Sequence, residues 1–279
     1  IRLQEIEIEV RTSVIPGAYG ESIVMRILNP KTIGIPLEEL GMNTPLFEAI
    51  DREIHKPNGM LLNTGPTGSG KTTTLYAILK RLQTPKIKII TIEDPIEYHL
   101  PGITQTQVER GEGYTFLSGL RSSLRQDPDV IMVGEIRDVE TAEIAIQAAL
   151  TGHLVFATLH TNDAAGAVTR LIDMGVEPFL IASSLAGVVA QRLVRIFCAD
   201  CKGKGCKACH DGGYRGRMSI NELMVVNDDI KSLIMDKASA SKLAKAALKG
   251  GMRTLREDGL AKVEEGITSK EEVFRVTQE

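Results

Sequence analysis

The chain contains no tryptophan, and aromatic residues make up only 4% of it. Proteins that track single-stranded nucleic acid stack bases on aromatic side chains, and this composition offers few. An excess of positive charge is also missing. Lys and Arg number 33 against 36 Asp and Glu, a net charge of −3, so there is no electrostatic case for nucleic acid as the main partner. No apolar run reaches the roughly 20 residues that span a bilayer, and no secretory leader pattern is visible. Neither an internal repeat nor a low-complexity segment occurs. Cysteine is confined to one short stretch that holds Cys198, Cys201, Cys206 and Cys209.

What is present is organised around Gly65-Pro66-Thr67-Gly68-Ser69-Gly70-Lys71-Thr72. This matches G-x-x-x-x-G-K-[ST], the phosphate-binding loop. Its context fits: 59–64 reads as a short buried strand and 71–83 as a helix with Leu75, Ile78, Leu79 and Leu82 on one face. A glycine-rich bend between strand and helix lets successive N–H groups converge, and the helix N-terminus adds partial positive charge. Lys71 then neutralises the β- and γ-phosphates, and the Thr72 hydroxyl is a ligand for Mg²⁺, with Thr73 following on the same helix. A glycine-rich turn without function would not need strand, lysine, threonine and helix together.

The 279 residues suffice for one large or two modest domains. Residues 1–29 read as strands closing a small N-terminal domain, and 30–44, punctuated by Pro and Gly, as a linker. The chain opens at Ile1 inside a strand pattern, as a fragment would. A helix is expected at 45–54, with Pro45 in its first turn. Strands at 87–92, 129–133 and 154–159 alternate with helices at 115–126 and 139–150, which implies a parallel sheet covered on both faces. Helices follow at 163–174 and 177–190, closing a core over 45–197. Beyond the cysteine element (198–212), a C-terminal helical subdomain (213–279) begins with a strand region over 213–225.

Ligands of open parallel sheets sit at the C-terminal strand edges. Glu135 ends one strand, where it would hold Mg²⁺ directly or through water, and Glu93 and Asp94 end another. A carboxylate there can orient or deprotonate an attacking water. Each acid alone could equally be a helix cap or surface charge; it is their joint position beside the loop that points to hydrolysis. His153 and His160 bracket a strand and would lie roughly 20 Å apart at ~3.3 Å per residue. His160, at the C-terminal edge, is the better γ-phosphate sensor; His153 is either structural or a second contact. Arg121 and Arg125 share a helical face, Arg137 follows Glu135, and Arg11 and Arg26 lie in the N-terminal module. An isolated arginine is ordinarily a surface charge, but phosphoryl transfer uses added positive charge.

Cys198-x-x-Cys201 and Cys206-x-x-Cys209 give four thiolates at tetrahedral zinc spacing. Redox chemistry is the competing reading. With all four positions cysteine, no ligand site is left open for catalysis, so the metal is structural and coupled to folding.

The order GPTGSGKTT (65–73), TIEDPIEY (91–98), LRQDPDVIMVGEIRD (124–138) and TGHLVFATLHTND (151–163) resembles the secretion ATPases of type II secretion and type IV pilus systems. There these segments are the Walker A, Asp box, Walker B and His box. RLIDMGVEPFL (170–180), AQRLVR (190–195), the tetracysteine and GYRGR (213–217) look most like the type II secretion assembly ATPase; pilus extension ATPases stay close, while retraction ATPases lack the tetracysteine. The resemblance implies a RecA-like α/β ATPase domain after a small α+β domain, assembled as a homo-hexamer. It implies Glu93 as catalytic base, Glu135 as the Mg²⁺-associated acid, and Arg11, Arg26, Arg121, Arg125 and Arg137 at nucleotide or subunit contacts. ATP, Mg²⁺ and Zn²⁺ are the implied cofactors. Partners would be inner-membrane platform proteins, met at the cytoplasmic face through a docking domain outside this chain. Only Lys202-Gly203-Lys204-Gly205 separates the cysteine pairs, where family members often have tens of residues. A RecA-like DNA translocase, which would need a basic aromatic channel, and a P-loop kinase, which would need an acceptor pocket and lid, fit the same loop less well.

Overall fold

The apolar runs of the sequence become adjacent parallel strands. The computed structural model describes residues 2–3, 6–7, 9–28 and 34–278, with side chains described at 10, 12–25, 34–109 and 111–278. Its central sheet has seven strands. They are β5 (Gly59–Thr64), β6 (Ile89–Glu93), β7 (Thr104–Gln107), β8 (Val130–Val133), β9 (Leu154–Leu159), β10 (Leu185–Phe197) and β11 (Tyr214–Val225), in the spatial order β11-β10-β5-β9-β8-β6-β7. All neighbours pair parallel except β10 with β11. Every residue of β5, β6, β8 and β9 is buried, as expected of a sheet covered on both faces.

Two apolar layers sandwich it. On one face the helices α1 (Thr44–Ile54) and α2 (Lys71–Leu82) pack Ile50, Ile54, Leu75, Ile78 and Leu79 against Leu61, Met132 and Phe156. On the other, α3 (Phe116–Ser123), α4 (Val139–Leu150), α5 (Ala164–Asp173) and α6 (Pro178–Ser184) bury Leu120, Ile146, Val168 and Ile181 on Leu62, Ile131 and Val155.

Two expectations are corrected. Residues 177–190 are not one helix: α6 ends at Ser184, and 185–197 form β10. Val188, Val189 and Ala190 pair with Leu62, Asn63 and Thr64 of β5 on one side, while 187–195 run antiparallel to β11 on the other. The β-branched valines suit such a two-sided position, and tertiary pairing overrides the helical look of the flanking alanines. Consequently, the expected boundary at 213 falls within one core. β11 completes the sheet, and Ile230, Ile234, Leu243, Leu255 and Val273 from α7 (Asp228–Met235), α8 (Ala240–Lys249), α9 (Leu255–Glu264) and α10 (Lys270–Thr277) join the same apolar cluster as α4 and α5.

Of the N-terminal module, the structure describes the short strands β1 (Arg2–Leu3) and β2 (Ile6–Glu7) and the hairpin of β3 (Glu9–Gly17) and β4 (Gly20–Leu28). Arg11 and Arg26 face each other across that hairpin register; their side chains lie outside the described residues. Of the expected linker at 30–44, residues 30–33 lie outside the described residues; Leu37, which opens a short 3₁₀ turn (Leu37–Leu40), is 1% exposed.

Candidate active site

The loop after β5 is built to bring backbone close to a ligand. Gly70 caps α2 with φ 91°, a left-handed conformation that favours glycine. At Gly65, with φ 150°, a Cβ would stand 2.5 Å from the Gln191 carbonyl and from Ser69 Oγ, so β10 packs directly beneath the loop. Lys71 is 9% exposed, and its ammonium donates to the carbonyls of Gly65 (2.7 Å) and Pro66 (3.0 Å). Burial lowers its pKa; the Glu135 charge opposes that shift and the Arg192 charge adds to it.

A cavity of about 540 Å³ lies over the loop. Its wall includes Thr67, Gly68, Gly70, Lys71, Thr72 and Thr73, together with Glu93 at the end of β6 and Asp94 after it, Glu135 and Arg137 after β8, and His160 after β9. The strand ends are tied together. Thr158 Oγ1 donates to the Gly134 carbonyl at 2.6 Å, and Ile136 N–H donates to the Thr158 carbonyl at 3.0 Å. Thr161 N–H donates at 2.9 Å to Thr64 Oγ1, the residue before the loop.

Each acid has a distinct setting. Glu93 is 3% exposed and accepts from Thr91 Oγ1 (2.6 Å), Gln105 Nε2 (3.0 Å) and the Tyr76 hydroxyl. Glu135 sits between the Arg137 guanidinium, which donates to it, and His160 Nε2 at 3.6 Å. Arg137 also reaches within 4.0 Å of Asp94. Burial, then the Lys71 charge, holds the His160 imidazole below its usual pKa of 6.5, against the pull of Glu135. In its neutral form the ring can donate from one nitrogen and accept at the other.

Not every expected residue joins this cavity. His153 stands at the opposite end of β9, where its Nδ1 lies 2.9 Å from the Ala148 carbonyl at the end of α4. It does not line the cavity, since the length of β9 lies between it and His160. Arg121 is exposed and Arg125 donates to the Arg121 carbonyl at 2.9 Å; neither lines the cavity. Conversely, the sequence reading missed Tyr76, Gln105, Arg192 and Arg217. Tyr76 and Arg217 line the cavity. Arg192 donates to the Asn162 carbonyl at 2.8 Å, bracing the His160 loop. Arg192 and Arg217 lie in the AQRLVR and GYRGR stretches; Tyr76 and Gln105 carried no motif signal.

Away from this cavity, the four cysteines converge. Their Sγ atoms lie within 4.8 Å of one another, with separations of 3.9 Å for Cys198–Cys206, 3.8 Å for Cys201–Cys209 and 3.7 Å for Cys206–Cys209. A tetrahedron with Zn–S bonds of about 2.3 Å has an edge of about 3.8 Å, so the set fits that metal. The knuckles close on themselves: a Cβ on Gly213 would stand 2.5 Å from the Gly203 carbonyl.

A phosphate-binding loop at the C-terminal edge of a mostly parallel sheet, faced by Glu93, Asp94, Glu135 and His160, defines a protein of the RecA-like P-loop α/β class. Residues 1–275 match the family model described as "Type II/IV secretion system protein". The chain is 52% identical to the type II secretion system protein HxcR of Pseudomonas aeruginosa, over 100% of its own length and 61% of that relative's. Its identity to the type II secretion system ATPase E of Vibrio cholerae is 49%, covering 100% of the chain and 60% of the relative. Among solved structures, the pilus retraction motor PilT with bound ADP superposes with a TM-score of 0.78 at 31% identity, covering 100% of this chain and 76% of that one. The chain thus belongs to the type II/IV secretion system protein family, and spans about 60% of the length of these secretion relatives. No helix among the described residues is long and apolar enough to cross a membrane.

The cation beside His160 makes a titration test. An NMR titration of the ring protons is expected to place the His160 midpoint below 6.5. Lys71→Met removes a positive charge that disfavours the imidazolium, so the midpoint moves up. A midpoint above 6.5 in the unsubstituted protein contradicts this electrostatic picture.

Proposed function

We propose that the chain is the catalytic portion of an ATPase that powers pseudopilus assembly in type II protein secretion, converting ATP and water to ADP and phosphate. One observation carries the reading: Lys71, Thr72, Glu93, Glu135 and His160 meet in a single cavity over a phosphate-binding loop. The names of the Vibrio cholerae and Pseudomonas aeruginosa relatives, and the ADP in the PilT structure, support it.

In this account the loop amides and Lys71 bind the β- and γ-phosphates. Gly65, Pro66, Thr67, Gly68, Ser69 and Gly70 supply the backbone cradle, and Thr73 extends it along α2. The Thr72 hydroxyl and Glu135 carboxylate are hard oxygen donors suited to Mg²⁺, which neutralises phosphate charge when bound. Glu93 orients the attacking water and takes up its proton. His160, on the cavity wall just after β9, reads the γ-phosphate through a hydrogen bond from its ring. Arg137 balances Glu135. Arg11 and Arg26 bring positive charge from the N-terminal module, and Arg121 and Arg125 serve subunit contacts in a homo-hexamer. One structural Zn²⁺ is held by the four cysteines. The assembly works at the cytoplasmic face of the inner membrane, against platform proteins there.

Two measurements test the reading. Lys71→Ala should lower ATP turnover by at least ~100-fold, the scale for removing one transition-state charge contact; normal turnover overturns the site assignment. Elemental analysis of reduced protein should find about one zinc per chain, and chelation should lower the melting temperature; metal-free protein with the same melting temperature removes the zinc claim.

A further inference from the structure

Glu93 sits in a place where a carboxylate needs support. It is 3% exposed, and a buried carboxylate is costly unless its oxygens are hydrogen-bonded. Three neutral donors meet it. Thr91 Oγ1 (2.6 Å) and Gln105 Nε2 (3.0 Å) share Oε1, and the Tyr76 hydroxyl takes Oε2.

The sense of these bonds is fixed by the next layer. Gln105 Oε1 accepts the Leu100 N–H at 2.6 Å, which turns its amide nitrogen towards Glu93 and the Tyr98 carbonyl. The Tyr76 oxygen accepts the Glu97 N–H at 3.3 Å, leaving its single proton for Glu93. Burial, then the Glu93 charge, raises the Tyr76 phenol above its usual range, so it remains a donor. An ionised carboxylate has about four acceptor sites. Three are filled, and the one left belongs to Oε2, the oxygen Tyr76 holds.

The elements involved matter as much as the bonds. Tyr76 lies on α2, the helix that starts at Lys71. Glu93 ends β6, and Gln105 lies on the neighbouring edge strand β7. The contact therefore ties the acid to the same rigid helix that positions the phosphates, although β9 and β8 separate β5 from β6 in the sheet. Glu93 also lines the cavity that Thr72 and His160 line, so the acid held by this contact borders the site where the phosphates would sit.

We propose that Tyr76 and Gln105 are positioning residues for hydrolysis, clamping Glu93 to the phosphate-loop helix so that one lone pair of Oε2 stays aimed at the attacking water. This rests on Glu93 being the residue that orients that water.

Tyr76→Phe keeps the ring and removes only the hydroxyl. Steady-state kinetics should show kcat lowered by about tenfold or more, within the range for a misplaced general base, with KM for MgATP within about twofold of the parent. Gln105→Met should act in the same direction, and it decides the matter if Tyr76→Phe does not fold. In a Glu93→Gln background, Tyr76→Phe should cause little further loss, because the clamp has nothing left to aim. An equal fold-loss in both backgrounds, or a rise in KM with kcat unchanged, makes the role structural and overturns the clamp. Full turnover by Tyr76→Phe beside an inactive Glu93→Gln overturns the clamp while leaving Glu93 in place. Normal turnover by Glu93→Gln alone overturns the underlying role of Glu93, and the clamp with it.

Discussion

The ammonium of Lys71 is the charge around which this molecule is balanced. A lysine with 9% exposure is unfavourable unless something compensates. Here two loop carbonyls and the Glu135 charge do so. The compensation is specific in direction. Carbonyl dipoles can be exchanged for phosphate oxygens, whereas a salt bridge to a carboxylate would have to be broken first. After burial, the same charge is the next cause that lowers the His160 pKa, which disfavours a second cation beside the site. Removing Lys71 would thus alter the loop, the acid and the histidine together.

That balance depends on parallel pairing. Because β5, β6, β8 and β9 run the same way, their C-terminal ends deliver the loop, Glu93, Glu135 and His160 to one edge. Threonines then lock the ends: Thr64 to Thr161, and Thr158 to Gly134. The C-terminal helices are bound into this frame. Glu222 on β11 accepts the Ala164 N–H at 2.8 Å and the Leu255 N–H at 3.2 Å, so one buried carboxylate meets the first turns of both α5 and α9.

Much of this was legible before the fold was known. Glycines and a lysine in fixed spacing announce a phosphate loop, since few other uses require them, and fully apolar runs such as 130–133 and 154–159 announce buried parallel strands. The four cysteines announce their own cluster by spacing. What was not legible depends on distant partners. β10 reads as helix because alanines flank its valines, and only pairing with β5 and β11 makes it a strand. β7, Thr104–Gln107, is a polar edge strand with no apolar pattern to detect. That His153 and His160 stand at opposite ends of one strand was legible from their spacing; the Ala148 carbonyl that His153 meets was not. The contacts of Tyr76 and Gln105 with Glu93 join three elements and leave no trace in any one of them.

The central claim is that Lys71 and the loop amides form the fixed phosphate floor, with Glu93 and His160 facing the γ-phosphate across it. The most direct test is a structure of this chain with Mg²⁺ and a non-hydrolysable ATP analogue. The account predicts that the Lys71 ammonium leaves the Gly65 and Pro66 carbonyls for β- and γ-phosphate oxygens, with Glu93 Oε2 in hydrogen-bond reach of a water in line with the γ-phosphate. A nucleotide bound elsewhere, or one bound on the loop with Lys71 still on its carbonyls, would contradict it.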